Sequence, residues 1–125
     1  MQRLRGTGPV LVVDDDAVVR RMICQALEDD GFRVLAAPDG ELAIEQAARY
    51  RPTLIVLDAT LPTFRAQLVA SRIRAAVGHD VPILLTTAAN NAADSARALR
   101  AYAYLRKPFD VDELMTCVRL APGYK

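Results

Sequence analysis

The chain has 125 residues, of which 52% are hydrophobic and 25% charged, with a formal net charge of +1. That length closes one hydrophobic core without disulfides or metal staples. The near-neutral balance excludes any overall electrostatic pull toward nucleic acid or an anionic membrane.

Short apolar runs alternate with amphipathic segments along the chain. The runs are Val10–Val13, Arg33–Ala37, Leu54–Leu57, Ile83–Thr87 and Ala103–Leu105. Three of them are apolar without alternation, as strands covered on both faces of a parallel sheet are. Between them, Val19, Ile23, Ala26 and Leu27 predict a first helix, closed by Gly31. Ala43, Ile44, Ala47 and Ala48 predict a second, stopped before Pro52. Val69, Ile73 and Ala76 predict a third, ending at Gly78, and the Ala-rich stretch from Ala92 to Arg100 a fourth. Leu114, Val118 and Ala121 line the fifth, with Asp110 as N-cap and Glu113 completing a capping box. Residues 1–8 and 122–125 are expected to be loose ends around one domain at 9–121. The order (βα)₅, in units too short for separate domains, gives a doubly wound parallel sheet between two helical layers.

In such folds functional groups gather outside the carboxyl ends of the strands. The first strand runs into Asp14, Asp15 and Asp16; the third ends in Asp58, the fourth in Thr87 and the fifth in Lys107. Of 16 basic residues only Lys107 and the terminal Lys125 are lysines, so the one internal lysine falls on the acidic edge. Carboxylates crowded into one crevice call for a hard divalent cation, and Mg²⁺ suits carboxylate, carbonyl and water oxygens. With the acids balanced, Asp58 can act as a nucleophile toward phosphorus. A phosphoryl group brings roughly two negative charges and three acceptor oxygens, which a metal, an ammonium and a hydroxyl would satisfy.

The stretches VLVVDDD, GFRVLAAPDGELAIE, PTLIVLDATLP, PILLTTA and YLRKPFDVDEL together resemble the receiver domain of two-component response regulators, over about residues 9–121. The resemblance implies a flavodoxin-like three-layer α/β sandwich with a five-stranded sheet in the order 2-1-3-4-5. It implies that Asp58 accepts phosphate from a histidine kinase or phosphotransfer protein. Asp14, Asp15, Asp58 and the backbone carbonyl of Thr60 would hold Mg²⁺. Lys107, before a cis bond to Pro108, would pair with a phosphoryl oxygen. Thr87 would be the switch hydroxyl and Tyr104 the switch aromatic, with Thr86 the alternative hydroxyl if the register slips by one. Asp16 is expected to be a helix N-cap or a rim charge rather than a metal ligand. Output would pass through helix 4, strand 5 and helix 5 to an effector domain or partner, without nucleic-acid or membrane contact by this domain. Phosphotransfer and dephosphorylation would be self-catalysed only.

Two places depart from the family pattern. Arg65-Ala66 replace the usual Asp-Gly after the third strand. The Thr87–Lys107 interval is two residues short, with Arg100-Ala101 where Gly-Ala is common and Tyr102-Ala103 where small or acidic residues are common. Helix 4 is therefore expected to lack its glycine cap and to be shortened or displaced. Arg20, Arg21, Arg72 and Arg74 are expected on solvated outer faces, and His79 in an isolated loop. The opening MQRLRGTG lacks the apolar segment of a signal peptide, no run reaches the roughly 18 residues of a membrane span, and Cys24 and Cys117 show no CxxC spacing; a cytoplasmic setting is expected. Two other functions fit the same residues less fully. A pseudo-receiver would work by contact alone. An aspartyl-phosphate phosphohydrolase would need an acid two residues past Asp58, where this chain has Thr60, and a cap for its substrate.

Overall fold

The computed structural model describes residues 8–60, 66–77 and 80–124. Its elements alternate strictly: β1 Val10–Val13, α1 Ala17–Asp29, β2 Val34–Ala37, α2 Gly40–Tyr50, β3 Leu54–Asp58, α3 Ala66–Val77, β4 Ile83–Thr87, α4 Ala92–Leu99, β5 Ala103–Arg106 and α5 Val111–Arg119. The five strands pair in parallel in the order β2-β1-β3-β4-β5, so the expected doubly wound sheet is the one formed. The central strands β1, β3 and β4 are buried along their whole length, which is why their sequences are unbroken apolar runs. Strand β2 starts one residue later than the apolar run and lies at the edge, with Ala36 exposed.

Side-chain alternation divides the interior in two. Leu11, Val13, Ile55, Leu57, Ile83 and Leu85 face α2, α3 and α4. Val10, Val12, Leu54, Val56, Leu84 and Leu105 face α1 and α5, where they meet Ile23, Leu27, Leu114 and Val118. The two-residue period of the strand thus decides which helical layer each side chain joins.

The helix ends follow local chemistry. Asp16 caps α1 by accepting from the amides of Val18 and Val19. Asp39 caps α2, and Asp110 with Glu113 forms the capping box of α5. Helix α1 closes on Gly31 at φ 93°, with Gly31 N–H on the Glu28 carbonyl and Phe32 N–H on that of Leu27.

Helix α4 lacks a glycine cap, as expected, yet its C-terminal end is closed. Arg100 takes the left-handed conformation at φ 55°. Its N–H reaches the Arg97 carbonyl and the Ala101 N–H reaches that of Ala96, the same pairing that closes α1. Without glycine this conformation costs roughly 1–2 kcal/mol. Arg74 of α3 supplies the compensation. It is not a solvated outer arginine: its guanidinium donates to the carbonyls of Leu99 at 2.6 Å and Arg100 at 3.0 Å. A cation on the negative end of α4 is favourable as well. The helix is short, as expected, but its C-terminal end is tied to α3. The expected third-helix stop at Gly78, and His79 and Arg65, lie outside the described residues.

Replacing Arg74 with Met keeps the apolar stem and removes both hydrogen bonds. We expect a loss of about 1–3 kcal/mol, with faster amide exchange confined to residues 96–101. Urea denaturation with hydrogen exchange measures both, and unchanged exchange at Ala101 would count against the tie.

Candidate functional site

The sheet's own hydrogen bonds place the site residues. Asp14 N–H bonds to the Ala37 carbonyl at 3.2 Å, Ala59 N–H to Thr86 at 2.9 Å, and Lys107 N–H to Thr87 at 2.8 Å. The backbone ladder therefore continues past each strand end, and the groups at 14, 58 and 107 stand on rigid supports.

Asp14 and Asp58 are both fully buried. Lys107 Nζ donates to Asp14 Oδ2 at 3.0 Å and lies 3.4 Å from Asp58 Oδ2. Asp14 Oδ1 accepts from the Asp16 amide at 2.9 Å. Asp58 Oδ1 accepts from the Thr60 amide at 3.1 Å and the Thr60 hydroxyl at 2.9 Å. Exposed Asp15 completes the cluster: one carboxylate oxygen from each of Asp14, Asp15 and Asp58 lies within 4.8 Å of the others. Three carboxylates thus face one ammonium. The result shows in the ionisation of both partners. Burial, reinforced by the Asp58 charge, raises the Asp14 carboxyl above its ordinary range, despite the amide of Asp16 and the ammonium of Lys107. Burial works against the Lys107 ammonium, but the Asp14 hydrogen bond and the Asp58 and Asp14 charges outweigh it and hold its pKa above the ordinary value. The first shift is mainly that of a buried carboxyl, the second that of an ammonium beside two acids.

An all-oxygen donor set with an unbalanced charge suits a hard divalent cation. The Asp58 Oδ2 atom is buried with no polar neighbour among the described residues closer than Lys107 Nζ at 3.4 Å, which leaves it acceptor capacity for such an ion.

The remaining sequence candidates take clear positions. Thr87 is buried, and its hydroxyl accepts from the Ala89 amide at 3.0 Å, which leaves its own proton free to be donated. Tyr104 on β5 is 42% exposed, with its side chain turned to the surface. The Lys107–Pro108 bond is cis. Asp16 serves the helix and not the cluster. Two contributors escaped the sequence reading. Arg20, expected in solvent, donates to the Asp14 carbonyl at 2.7 Å and adds a cation behind the acids. Thr60, expected to contribute only its carbonyl, also clasps Asp58 with its hydroxyl. Six-residue spacing between Asp14 and Arg20 is the only trace of the first; nothing in the sequence marks the second.

A family model, the response regulator receiver domain, matches residues 10–119. The chain belongs to that family: it is a receiver domain of two-component response regulators. It is 38% identical over 112 residues to the response regulator MprA of Mycobacterium leprae, covering 88% of this chain and 49% of that protein. The MprA of Mycobacterium avium gives the same identity and shares. The chain thus spans about half the length of the curated relatives it matches. In three dimensions it resembles the Vibrio cholerae chemotaxis protein CheY4, with a TM-score of 0.81, 27% identity, and 91% and 98% of the two chains covered. The signal receiver domain of the putative LuxO repressor protein of Vibrio parahaemolyticus follows with a TM-score of 0.80 and 26% identity, covering 92% of this chain and 89% of that one. Among the described residues, no helix is long and apolar enough to cross a membrane.

The raised Asp14 pKa has a testable sign. The folded chain holds that proton more tightly than the unfolded chain, so ionised Asp14 costs stability at neutral pH. That cost shrinks as pH falls toward the ordinary carboxylate value of about 4. Asp14→Asn is therefore expected to stabilise the metal-free protein at pH 7 and to have almost no effect near pH 4. A gain that does not change with pH would place the effect elsewhere.

Proposed function

We propose that this receiver accepts a phosphoryl group on Asp58 from a phosphohistidine donor. The observation that carries the proposal is a fully buried carboxylate, held at one oxygen by Thr60, and 3.4 Å from the only lysine among the described residues. An Asp58 oxygen attacks phosphorus, the P–N bond of the donor breaks, and its electrons return to the imidazole ring. Asp14, Asp15, Asp58 and the Thr60 carbonyl are the residues that would hold Mg²⁺. When bound, the ion supplies positive charge and oxygen coordination for the incoming group. Lys107 then serves a phosphoryl oxygen in place of Asp14, and the free proton of the Thr87 hydroxyl serves another.

The partners follow from this reading: a sensor histidine kinase or phosphotransfer protein on one side, an effector on the other. Turnover of small phosphoesters is not expected. Exposed Thr60 stands where an aspartyl-phosphate hydrolase needs an acid, and only the self-catalysed gain and loss of phosphate remain. A contact-only pseudo-receiver is disfavoured because the acids, lysine and hydroxyl sit together on intact strand ends.

Acetyl phosphate with Mg²⁺ should add one phosphoryl group, lost in Asp58→Asn and absent with EDTA, as read by intact-protein mass spectrometry. An equal adduct in Asp58→Asn would move the site. Lys107→Ala should still take the group but lose the accompanying change in amide exchange over α4, β5 and α5. The same exchange change in wild type and variant would remove Lys107 from the switch.

A further inference from the structure

Thr86 lies next to Asp58 and has no part in the chemistry above. The pairing of β3 with β4 sets Asp58 directly opposite Thr86. Alternation puts both on the sheet face of Val56 and Leu84, toward α1 and α5. Thr86 is 1% exposed, and its hydroxyl oxygen is buried without a hydrogen-bond partner among the described residues. The Asp58 Oδ2 atom is also buried, and its one polar neighbour among the described residues is the Lys107 ammonium at 3.4 Å. A hydroxyl without a partner and a carboxylate oxygen with room for another donor thus occupy neighbouring places on adjacent strands. Valine would fill the same space at Thr86 without burying a hydroxyl.

We infer that Thr86 is a positioning residue for Asp58: its O–H serves Oδ2 across the strand pair. Adjacent strands lie roughly 4.8 Å apart, so paired side chains on one face stand within reach of each other. The consequence is orientation. The terminal torsion of an aspartate is broad, and Thr60 constrains only Oδ1. A second donor at Oδ2 fixes the plane of the carboxylate before any ligand arrives. Lys107 cannot do this alone, because its shorter contact is to Asp14. The functional part of the inference rests on Asp58 being the phosphoacceptor; the hydrogen bond itself does not.

The test is a double-mutant cycle on the metal-free chain, comparing thermal midpoints of wild type, Thr86→Val, Asp58→Ala and the double variant. Thr86→Val is expected to lower the midpoint when Asp58 is present and to raise it in Asp58→Ala, where the hydroxyl has lost its acceptor. Equal rises in both backgrounds overturn the inference. A second measurement titrates beryllofluoride with Mg²⁺. Thr86→Val should bind it about tenfold more weakly, the worth of one hydrogen bond to a charged acceptor, and Thr86→Ser should restore the affinity. Unchanged affinity in Thr86→Val would overturn the positioning role. Because the cycle uses no phosphoryl donor, a wild type that never takes phosphate would defeat the proposed function while the cycle still decided the hydrogen bond.

Discussion

One ammonium shared between two buried carboxylates governs this structure. Lys107 bonds to Asp14 and stands close to Asp58, and neither acid reaches solvent. A buried ion pair of this kind contributes little net stability, because desolvation offsets the attraction. Here the balance is poorer still, since Asp15 adds a third charge at the rim. The carboxylates are therefore held by the strength of the sheet beneath them and not by their own contacts. Burial of β1, β3 and β4 supports a charge arrangement that would not form by itself.

The same constraint explains the distribution of cations. Arg20 approaches the Asp14 carbonyl and leaves the carboxylate alone, so it adds positive potential without neutralising the acids. Lys107 is the one cation in direct contact with a carboxylate of the cluster among the described residues, and its flexible stem can transfer that contact to another acceptor. An arginine with its bidentate fork would hold the acids more firmly and release them less readily.

The fold was legible because the signals behind it are local and repeated. Unbroken apolar runs named the buried strands, and Asp16, Gly31 and Asp110 marked helix ends where they are observed. The strand-end acids and Lys107 were legible because topology alone brings strand ends together. Arg20 and Arg74 were not, since an arginine on a helix carries no mark of which carbonyl it will reach. The left-handed Arg100 was not legible for a related reason: the absence of glycine shows in the sequence, but the neighbour that closes the helix end without it does not. Arg74 comes from a helix 26 residues earlier in the chain, a contact no local pattern encodes.

That tie makes α4 unequal at its two ends. The C-terminal end is closed by backbone bonds and held by Arg74. At the N-terminal end, Asn91 makes no side-chain cap bond. The segment leading into it is fastened at Ala89, whose amide bonds to the Thr87 hydroxyl. A change at Thr87 therefore reaches the loose end of α4 first and meets resistance at the tied end. Under the proposed chemistry, a phosphoryl oxygen that accepts the Thr87 proton pulls on the same hydroxyl that accepts from the Ala89 amide, and so on the loop leading into α4. The surface that responds would be the start of α4 and the neighbouring Arg106, which donates to Asn90 in that loop. Exposed Tyr104 lies two residues before Arg106 on β5, so the two side chains share one face of that edge strand.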